Sequence, residues 1–589
     1  MGIGSNAGHR ARHIHAALRL LQQLDTDRLR LHATSLLYES TPVGSPPEHA
    51  RQPRFLNGAL ELHTSLPPLQ LLEALKSVES RMGRDATMVR NGPRCIDLDL
   101  LMYESAEFTF THERLQLPHP RWAQRGFVIV PLMDLLEDAA AGDAQADRSW
   151  RALASDAFAA WQATQASCRR ALSEARLRGA SASLIEAAEQ RVEVIHRVIP
   201  FPTADCVPDS DCAAISDVFR WGGQIGVATD SDADAESSAA SLASDSYPRR
   251  LASPTLLMGI LNLTPDSFSD GGTHLAGGLA SAIAAAKRLW DEGADVIDIG
   301  GESTRPGSVA LSAAEELSRI LPVIDAICAA YPLIKLSVDT YHPSVAREAL
   351  RHGCVMLNDV YGGTYRDPHT GESMLQVAAE CNVPYVCMHM RGNAQTMTNT
   401  QHSTYEDVVK EVRDEQQKQI YAALSTRVVT AADATSVASP PSPSASPPSR
   451  SAAASTPASS SLSRWNLLLD PGIGFAKGGA QAVQLLRHLP SVYPSNSARF
   501  PVLVGTSRKG FIANALRQGQ ARVYERHAAG SASSTPASDA AAPVSLLSRD
   551  WGTSATVTAS IAGGASIVRV HDVAAMRCVR DVADQLFKR

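Results

Sequence analysis

"LLMGILNL", residues 256–263, is apolar except at Gly259 and Asn262. A run this short with no polar face fits a strand covered on both sides, as in a parallel sheet. Seven runs of the same kind follow: "DVIDIGG" (295–301), "KLSVDT" (335–340), "VMLNDV" (355–360), "YVCMHM" (385–390), "NLLLDP" (466–471), "VLVGTS" (502–507) and "SIVRVHD" (566–572). Helical segments such as "LASAIAAAKRLWDEGA" (279–294) and "SVAREALRHG" (344–353) separate them. Eight buried strands alternating with helices is the count of a (β/α)8 barrel. An open doubly wound sheet more often carries a Gly-rich first turn, and none is seen.

Barrel chemistry gathers at the C-terminal ends of the strands. Those ends read Asn262, "GGESTRPGS" (300–308), Asp339, "ND" (358–359), "MHM" (388–390), Asp470, "SRKG" (507–510) and "RVH" (569–571). Acids and amides suit a heterocycle rich in N–H donors, while Arg, Lys and His suit an anionic leaving group. Taken singly, some have structural readings. His571 fits a hydrogen-bonded strand-end histidine, His389 a core residue, and Asp339 the cap of the helix near "HPSVAREAL" (342–350).

Residues 1 to about 135 have another rhythm of short strands and helical patterns, and within them lies "PRCIDLDLLMY" (93–103). Period two puts Ile96, Leu98 and Leu100 on one strand face and Asp97 and Asp99 on the other. Arg81, Arg84, Arg90 and Arg94 precede the pair; His119, Arg121 and Arg125 follow it. Two carboxylates on one face suit Mg²⁺ bound together with substrate phosphates, and arginines then neutralise the remaining phosphate charge. That combination predicts phosphoryl transfer. No Walker-type phosphate loop is present.

Composition bounds the rest. The 589 residues are 44% apolar and 20% charged with net charge -6, which suits several globular domains and argues against a nucleic-acid partner. Nine cysteines without a C-x-x-C pair argue against zinc or a disulfide framework and point to a reducing compartment. No run approaches a membrane span, and Met1 leads straight into "GIGSN" without a secretory signal. A cytoplasmic protein is expected, with organellar import open if residues precede Met1. The expected boundaries are an N-terminal domain at 1–224 with a largely helical insertion over about 139–200, a flexible Ser/Ala/Asp-rich linker at 225–253, and the barrel at 254–589. Pro/Ser/Ala-rich stretches predict disordered insertions at about 428–463 and 520–548.

Two resemblances join these readings. "GIGSN" (2–6), "TPVG" (41–44), "FLNGAL" (55–60), "VESRMGR" (78–84), "NGPRCIDLDLL" (91–101) and "LPHPRWAQRGFVIVPL" (117–132) resemble hydroxymethyldihydropterin pyrophosphokinase. The resemblance implies an α+β, ferredoxin-like domain that transfers the pyrophosphate of ATP to 6-hydroxymethyl-7,8-dihydropterin and releases AMP. It implies Asp97 and Asp99 as ligands of two Mg²⁺, and Arg84, Arg94, His119 and Arg125 on the phosphates. Thr41, Pro42, Val43, Asn57 and Phe127 would hold the pterin. Ala86 stands where the family has arginine and Asn91 where it has tryptophan. Only Met1 and Gly2 precede I-G-S-N, which predicts an unfilled first strand.

The barrel half resembles dihydropteroate synthase through "LMGILNLTPDSFSDGG" (257–272), "DIGGESTRPGS" (298–308), "SVDT" (337–340), "LNDV" (357–360), "MHMRGNAQTM" (388–397), "LLDPGIGFAKG" (468–478), "VGTSRKGFI" (504–512) and "IVRVHDV" (567–573). The resemblance implies condensation of the pterin pyrophosphate with para-aminobenzoate, and a sulfonamide target. Asp339, Asn358, Met388, Asp470, Phe475 and Lys509 would take the pterin. Asn262, Arg305, Arg569 and His571 would take the pyrophosphate, Asn262 with one Mg²⁺. Thr304, Pro306 and Ser507 would border the aminobenzoate. A homodimer through the synthase half is implied. The whole then reads as two consecutive steps of folate synthesis on one chain. The alternatives are a synthase carrying an inactive, structural pyrophosphokinase-like module, and a pterin-binding methyltransferase barrel.

Overall fold

The computed structural model describes residues 1–24, 28–42, 52–84, 92–138, 145–201, 218–225, 253–264, 278–305, 307–426, 462–493, 500–528 and 544–588. Val43, Ala86, Asn91 and Pro306 lie outside these, as do most of the expected linker and most of the two expected insertions.

The N-terminal half comprises β1 (Gly2–Ser5), α1 (Arg10–Gln22), β2 (Leu29–Thr34), β3 (Leu37–Ser40), β4 (Phe55–Thr64), α2 (Pro68–Arg81), β5 (Asp97–Asp99), β6 (Phe110–His112), β7 (Leu115–Leu117), α3 (Gly126–Asp138), α4 (Gln145–Leu177), α5 (Ala182–Glu189), β8 (Ile195–Pro200) and β9 (Val218–Ile225). Its main sheet runs β5-β1-β4-β3-β8-β9, antiparallel throughout, with β2 also on β4. The expected unfilled first strand is not found. Gly2–Ser5 pairs with β4 along one edge, and Gly2–Gly4 with β5 along the other. Four residues suffice because β5 has only three.

Helix α1 buries Ala11, Ile14, Ala17, Leu18 and Leu21, the one-face spacing of an amphipathic helix. Together with Leu71, Leu75 and Val78 of α2 they cover Ile3, Leu37, Leu56, Leu60 and Leu98 of the sheet. The opposite side takes Ile129 and Val130 of α3 and Trp161 of α4. The insertion holds α4 and α5 and ends in a strand. Ile195–Pro200 forms β8, antiparallel to β3 on one side and β9 on the other. The Ala/Arg-rich text before it carries a helical pattern, whereas one strand partner of "IHRVIP", β3, lies some 150 residues away.

The second half comprises β10 (Leu256–Asn262), α6 (Leu279–Asp291), β11 (Val296–Gly300), α7 (Ala313–Ala330), β12 (Leu336–Asp339), α8 (Pro343–Arg351), β13 (Met356–Asp359), α9 (Met374–Cys381), β14 (Tyr385–Met388), α10 (Thr400–Ser403), α11 (Val408–Ser425), β15 (Leu467–Asp470), α12 (Gly479–Arg487), α13 (Leu489–Val492), β16 (Leu503–Val504), α14 (Gly510–Ala528), α15 (Leu546–Ala562), β17 (Ile567–Val570) and α16 (Val573–Phe587). All eight expected strands form one parallel sheet, β15-β14-β13-β12-β11-β10-β17-β16, and a bridge from Leu469 to Val502 closes it into a barrel. Two segments read as disordered are ordered at their margins. Residues up to Ala528 belong to α14, α15 starts at Leu546, and Leu462 and Ser463 are buried.

Alternation sorts each strand. Leu257, Ile297, Ile299, Leu357 and Leu469 face the helices. Leu256, Met258, Val296, Met356, Val386, Leu468 and Ile567 belong to a second cluster, whose members from the N-terminal half include Tyr38, Trp161, Ile195, Ile199, Phe201 and Trp221. The N-terminal sheet therefore stoppers the barrel at its lower end. A single turn, Arg464–Asn466, enters from the other direction: Trp465 is buried in the N-terminal core, and the Arg464 amide donates to Thr34 Oγ1 at 2.8 Å.

Candidate active sites

The first site grows from β5, whose middle residue Leu98 is buried while Asp97 and Asp99 face the other way. The β1 end organises the approach to it. Asn6 accepts the Arg94 amide on its side chain at 2.8 Å and donates its own amide to Arg94 at 3.0 Å. Arg94 then meets Asp97 Oδ2 at 3.0 Å, and Arg84 meets Asp97 Oδ1 at 2.6 Å. Buried Glu79 holds Arg84 from behind at 2.5 Å and also accepts the Leu98 amide at 2.7 Å. Strand and arginine thus share one anchor.

Asp99 lies deeper. Burial first, and then the neighbouring charge of Asp97, push its carboxyl above the usual range against Lys76, His119 and Arg125. Burial holds the His119 imidazole below its ordinary value, with Asp99 pulling it back up. His119 Nδ1 accepts the Arg121 amide at 3.2 Å, which leaves Nε2 to carry the proton. Two carboxylates on one face, the inner one driven towards protonation by burial and then by the outer, form a donor set that a hard divalent cation relieves. The residues fit Mg²⁺.

The expected pterin residues among those described lie on β4, just after β3 and at the start of α3. Asn57 donates to Ser40 Oγ at 2.9 Å, and its Oδ1 lies so close to Gly4 that a Cβ there would sit 2.8 Å away. Thr41 exchanges two hydrogen bonds with Val194, through its amide at 3.1 Å and its Oγ1 at 3.0 Å. The Phe127 ring lies 5.4 Å from the Arg125 guanidinium. Pro42 is partly exposed beside Thr41.

The second site sits on the upper inner wall of the barrel. Arg569 donates through Nε to Asp298 Oδ2 and through Nη2 to Asp339 Oδ2, both at 2.7 Å. Asn358 donates to Asp298 at 2.8 Å. The carboxyl of Asp339 is pushed up to about 7, chiefly by burial, with Arg569 opposing and Asp298 reinforcing. Asp339 does not cap α8, where His342 occupies the cap position. Asp470 is buried and accepts the Gly472 amide at 2.7 Å. Lys509 binds the carbonyl of Ile473 and lies 4.4 Å from the Phe475 ring centroid. Its ammonium is held down to about 8 by burial, with Asp470 pulling upward.

Ser507 hydrogen-bonds His571 Nδ1 at 2.9 Å, and burial holds that imidazole down to about 3, so it is neutral. Met388 and Phe475 pack with Tyr341 and Val360 as an apolar shelf. The oxygen of Asn262 and the side chain of Asp339 flank Gly300, both about 3.6 Å from where a Cβ would stand. Asn262 offers one hard oxygen of the kind Mg²⁺ takes. Thr304 and exposed Arg305 lie on the loop after β11, which is pinned by Gly307 donating to the Ala394 carbonyl at 2.9 Å.

The sequence reading missed three groups. Asp298 ties Arg569 to Asn358, and its signal was an acid at an inward position of "VIDIG". Glu316, on α7 beside Glu302 and His342, has one buried oxygen without a partner among the described residues. Glu193 had no signal, because its partners are backbone amides of α3 and the Trp161 indole, all distant in sequence. His389 is a core residue on Glu415, 2.9 Å away.

Comparison with known proteins agrees with this division. The family of 7,8-dihydro-6-hydroxymethylpterin-pyrophosphokinases matches residues 1–137, and that of pterin binding enzymes matches 258–431 and 449–571. The mitochondrial folate synthesis bifunctional protein of Arabidopsis thaliana is 33% identical over 100% of this chain and 83% of its own. Its counterpart in Pisum sativum is 34% identical over 97% of this chain and 86% of its own. The dihydropteroate synthase of Synechocystis sp. is 38% identical over 57% of this chain and 91% of its own.

Proposed function

Because this chain belongs to the family of bifunctional folate-synthesis proteins, a pyrophosphokinase followed by a dihydropteroate synthase, we propose that each half works through the residues gathered at its own site. The inactive-module alternative is not favoured, since Asp97 and Asp99 are both present and Arg84 and Arg94 meet Asp97. ATP with Mg²⁺ serves the first family in general, and Mg²⁺ the second; two ions in the first site and one in the second are our assignment.

In the first half Asp97 and Asp99 would hold Mg²⁺, which when bound offsets phosphate charge. Arg84, Arg94, His119 and Arg125 orient the ATP phosphates towards the pterin hydroxyl. Arg84 and Arg94 each keep donors beyond those spent on Asp97, because a guanidinium carries five N–H groups. Thr41, Pro42, Val43 and Asn57 hold the pterin edge, and Phe127 covers its face.

In the second half Asp470 accepts the paired N–H donors of the pterin, with Asp339, Asn358 and Lys509 completing its edge and Met388 and Phe475 its apolar side. Arg569, Arg305, His571 and Asn262 meet the pyrophosphate, where positive charge stabilises the leaving group. Thr304, Pro306 and Ser507 border the arylamine, whose nitrogen attacks the pterin methylene as the pyrophosphate departs. The observation that carries this reading is the charged layer of Asp298, Asp339, Arg569, Asp470 and Lys509 above the apolar cluster of Met258, Met356, Val386 and Leu468. Mass spectrometry of the chain with hydroxymethyldihydropterin, ATP, Mg²⁺ and para-aminobenzoate tests it. Dihydropteroate, AMP and pyrophosphate are expected, and their absence would refute it.

Exposed Leu547 and Trp551 on α15, with Val582 and Leu586 on α16, support a homodimer through the synthase half, which sedimentation would read as twice the chain mass. The cysteines among the described residues are free thiols, which supports a reducing compartment, the cytoplasm or an organelle matrix. No helix among the described residues is long and apolar enough to cross a membrane.

A further inference from the structure

One dipeptide of the insertion touches both sides of the first site's pterin slot. Glu193 is 3% exposed and spends both carboxylate oxygens on buried donors. Oε1 accepts the Phe127 amide at 2.8 Å; Oε2 accepts the Gly126 amide at 2.9 Å and the Trp161 indole N–H at 2.9 Å. The next residue, Val194, makes the two hydrogen bonds to Thr41. Gln165 of α4 fixes the dipeptide in turn, its Oε1 accepting the Glu193 amide at 2.8 Å. The fit around it is close: a Cβ on Gly126 would stand 2.3 Å from the Trp161 ring.

The first amides of a helix have no partner within the helix, and side chains usually supply one from the residue just before it. For α3 the acceptor comes instead from a residue 66 positions further along the chain. We propose that Glu193 is a positioning residue for the pyrophosphokinase step, and that the α4–β8 insertion serves to set Phe127 and Thr41 against the pterin. The proposal rests on the reading that these two residues border that substrate. A carboxylate is the right group because it accepts on both oxygens. Burial pushes its pKa upward, while the three N–H donors and Arg125 favour the ionised form. Protonation would turn one acceptor into a donor facing an amide.

Glu193→Gln tests this without changing size. Its single acceptor oxygen can serve Gly126 and Trp161 or serve Phe127, but not both sides. The KM for hydroxymethyldihydropterin should rise by roughly five- to hundredfold. The KM for ATP should stay within about twofold, and so should synthase turnover on ready-made pterin pyrophosphate. Glu193→Ala should behave alike or more severely. If that variant unfolds, the Gln variant still decides, because its melting temperature and synthase rate report its fold. Fluorescence titration of the pterin in the presence of a non-hydrolysable ATP analogue separates the outcomes. Equal pterin affinity in Glu193→Gln and wild type overturns the positioning role alone. A wild-type chain that binds no pterin at the first site overturns both the role and the reading beneath it. A rise in both KM values together, with a lower melting temperature, makes Glu193 a general support of the domain and also overturns the role.

Discussion

Asp97 and Asp99 differ although they sit two residues apart on one strand. Asp97 already has two arginine partners, while Asp99 is buried and repelled by its neighbour. Replacing both with Ala should stop AMP formation and leave the synthase working on supplied pterin pyrophosphate; AMP at the wild-type rate would remove them from the site. A second residue carries a pH signature. Glu316 is pushed up to about 8, chiefly by burial, from an ordinary 4.5. Between those values the folded chain keeps a proton that the unfolded chain has lost. Stability therefore falls as pH rises through this window, by roughly 1.4 kcal/mol per unit. Glu316→Gln imitates the protonated form, keeps an acceptor for Thr340, and removes that slope. Thermal unfolding at pH 5.5 and 7.5 should show the variant gaining on wild type at the higher pH. A gap unchanged with pH would contradict the assignment. The acids at strand ends were legible because period two exposes them. Their partners were not, since Asp298 and Arg569 are 271 positions apart.

Elements were legible where their pattern is local. Each of the eight barrel runs is a short apolar stretch between helical patterns, and each became a strand. Strand β8 and the turn at Arg464–Asn466 escaped, because what stabilises them lies in other parts of the chain. Trp465 shows the consequence. It belongs to the barrel half by sequence, yet its ring is 1% exposed within the N-terminal core, beside His15. Its indole N–H has no partner among the described residues, so packing is what it contributes. Trp465→Ala should cost about 3–5 kcal/mol. The loss should lower the first melting transition and pyrophosphokinase activity before the synthase. Equal loss of both activities would show one cooperative unit instead.

Across the whole molecule the two sites stand on separate sheets, one at the β5 edge of the N-terminal sheet and one at the strand ends of the barrel. Strand β5 is four strands from β8, on the order of 20 Å at sheet spacing, and the barrel rises roughly another 20 Å from floor to mouth. The apolar cluster shared by the two halves contains none of the residues assigned to either site. A charged pterin pyrophosphate has no route through that cluster, so it should reach the synthase through solvent. Labelled hydroxymethyldihydropterin supplied with unlabelled pterin pyrophosphate should give dihydropteroate diluted to the pool value. Undiluted label in the product would demonstrate direct transfer.

By itself the sequence determined what is local: strand and helix periods, the acids that interrupt apolar runs, and motif stretches that identify two chemistries in one chain. Tertiary structure decided what depends on distant partners. It placed Glu193 under Phe127, Trp465 in the other half's core, Asp298 between Arg569 and Asn358, and the N-terminal sheet under the barrel. Side-chain alternation is dictated by neighbouring residues and can be read along the chain. Burial of a charge or a ring requires a partner, and in each of these cases the chain supplies it from far away in sequence.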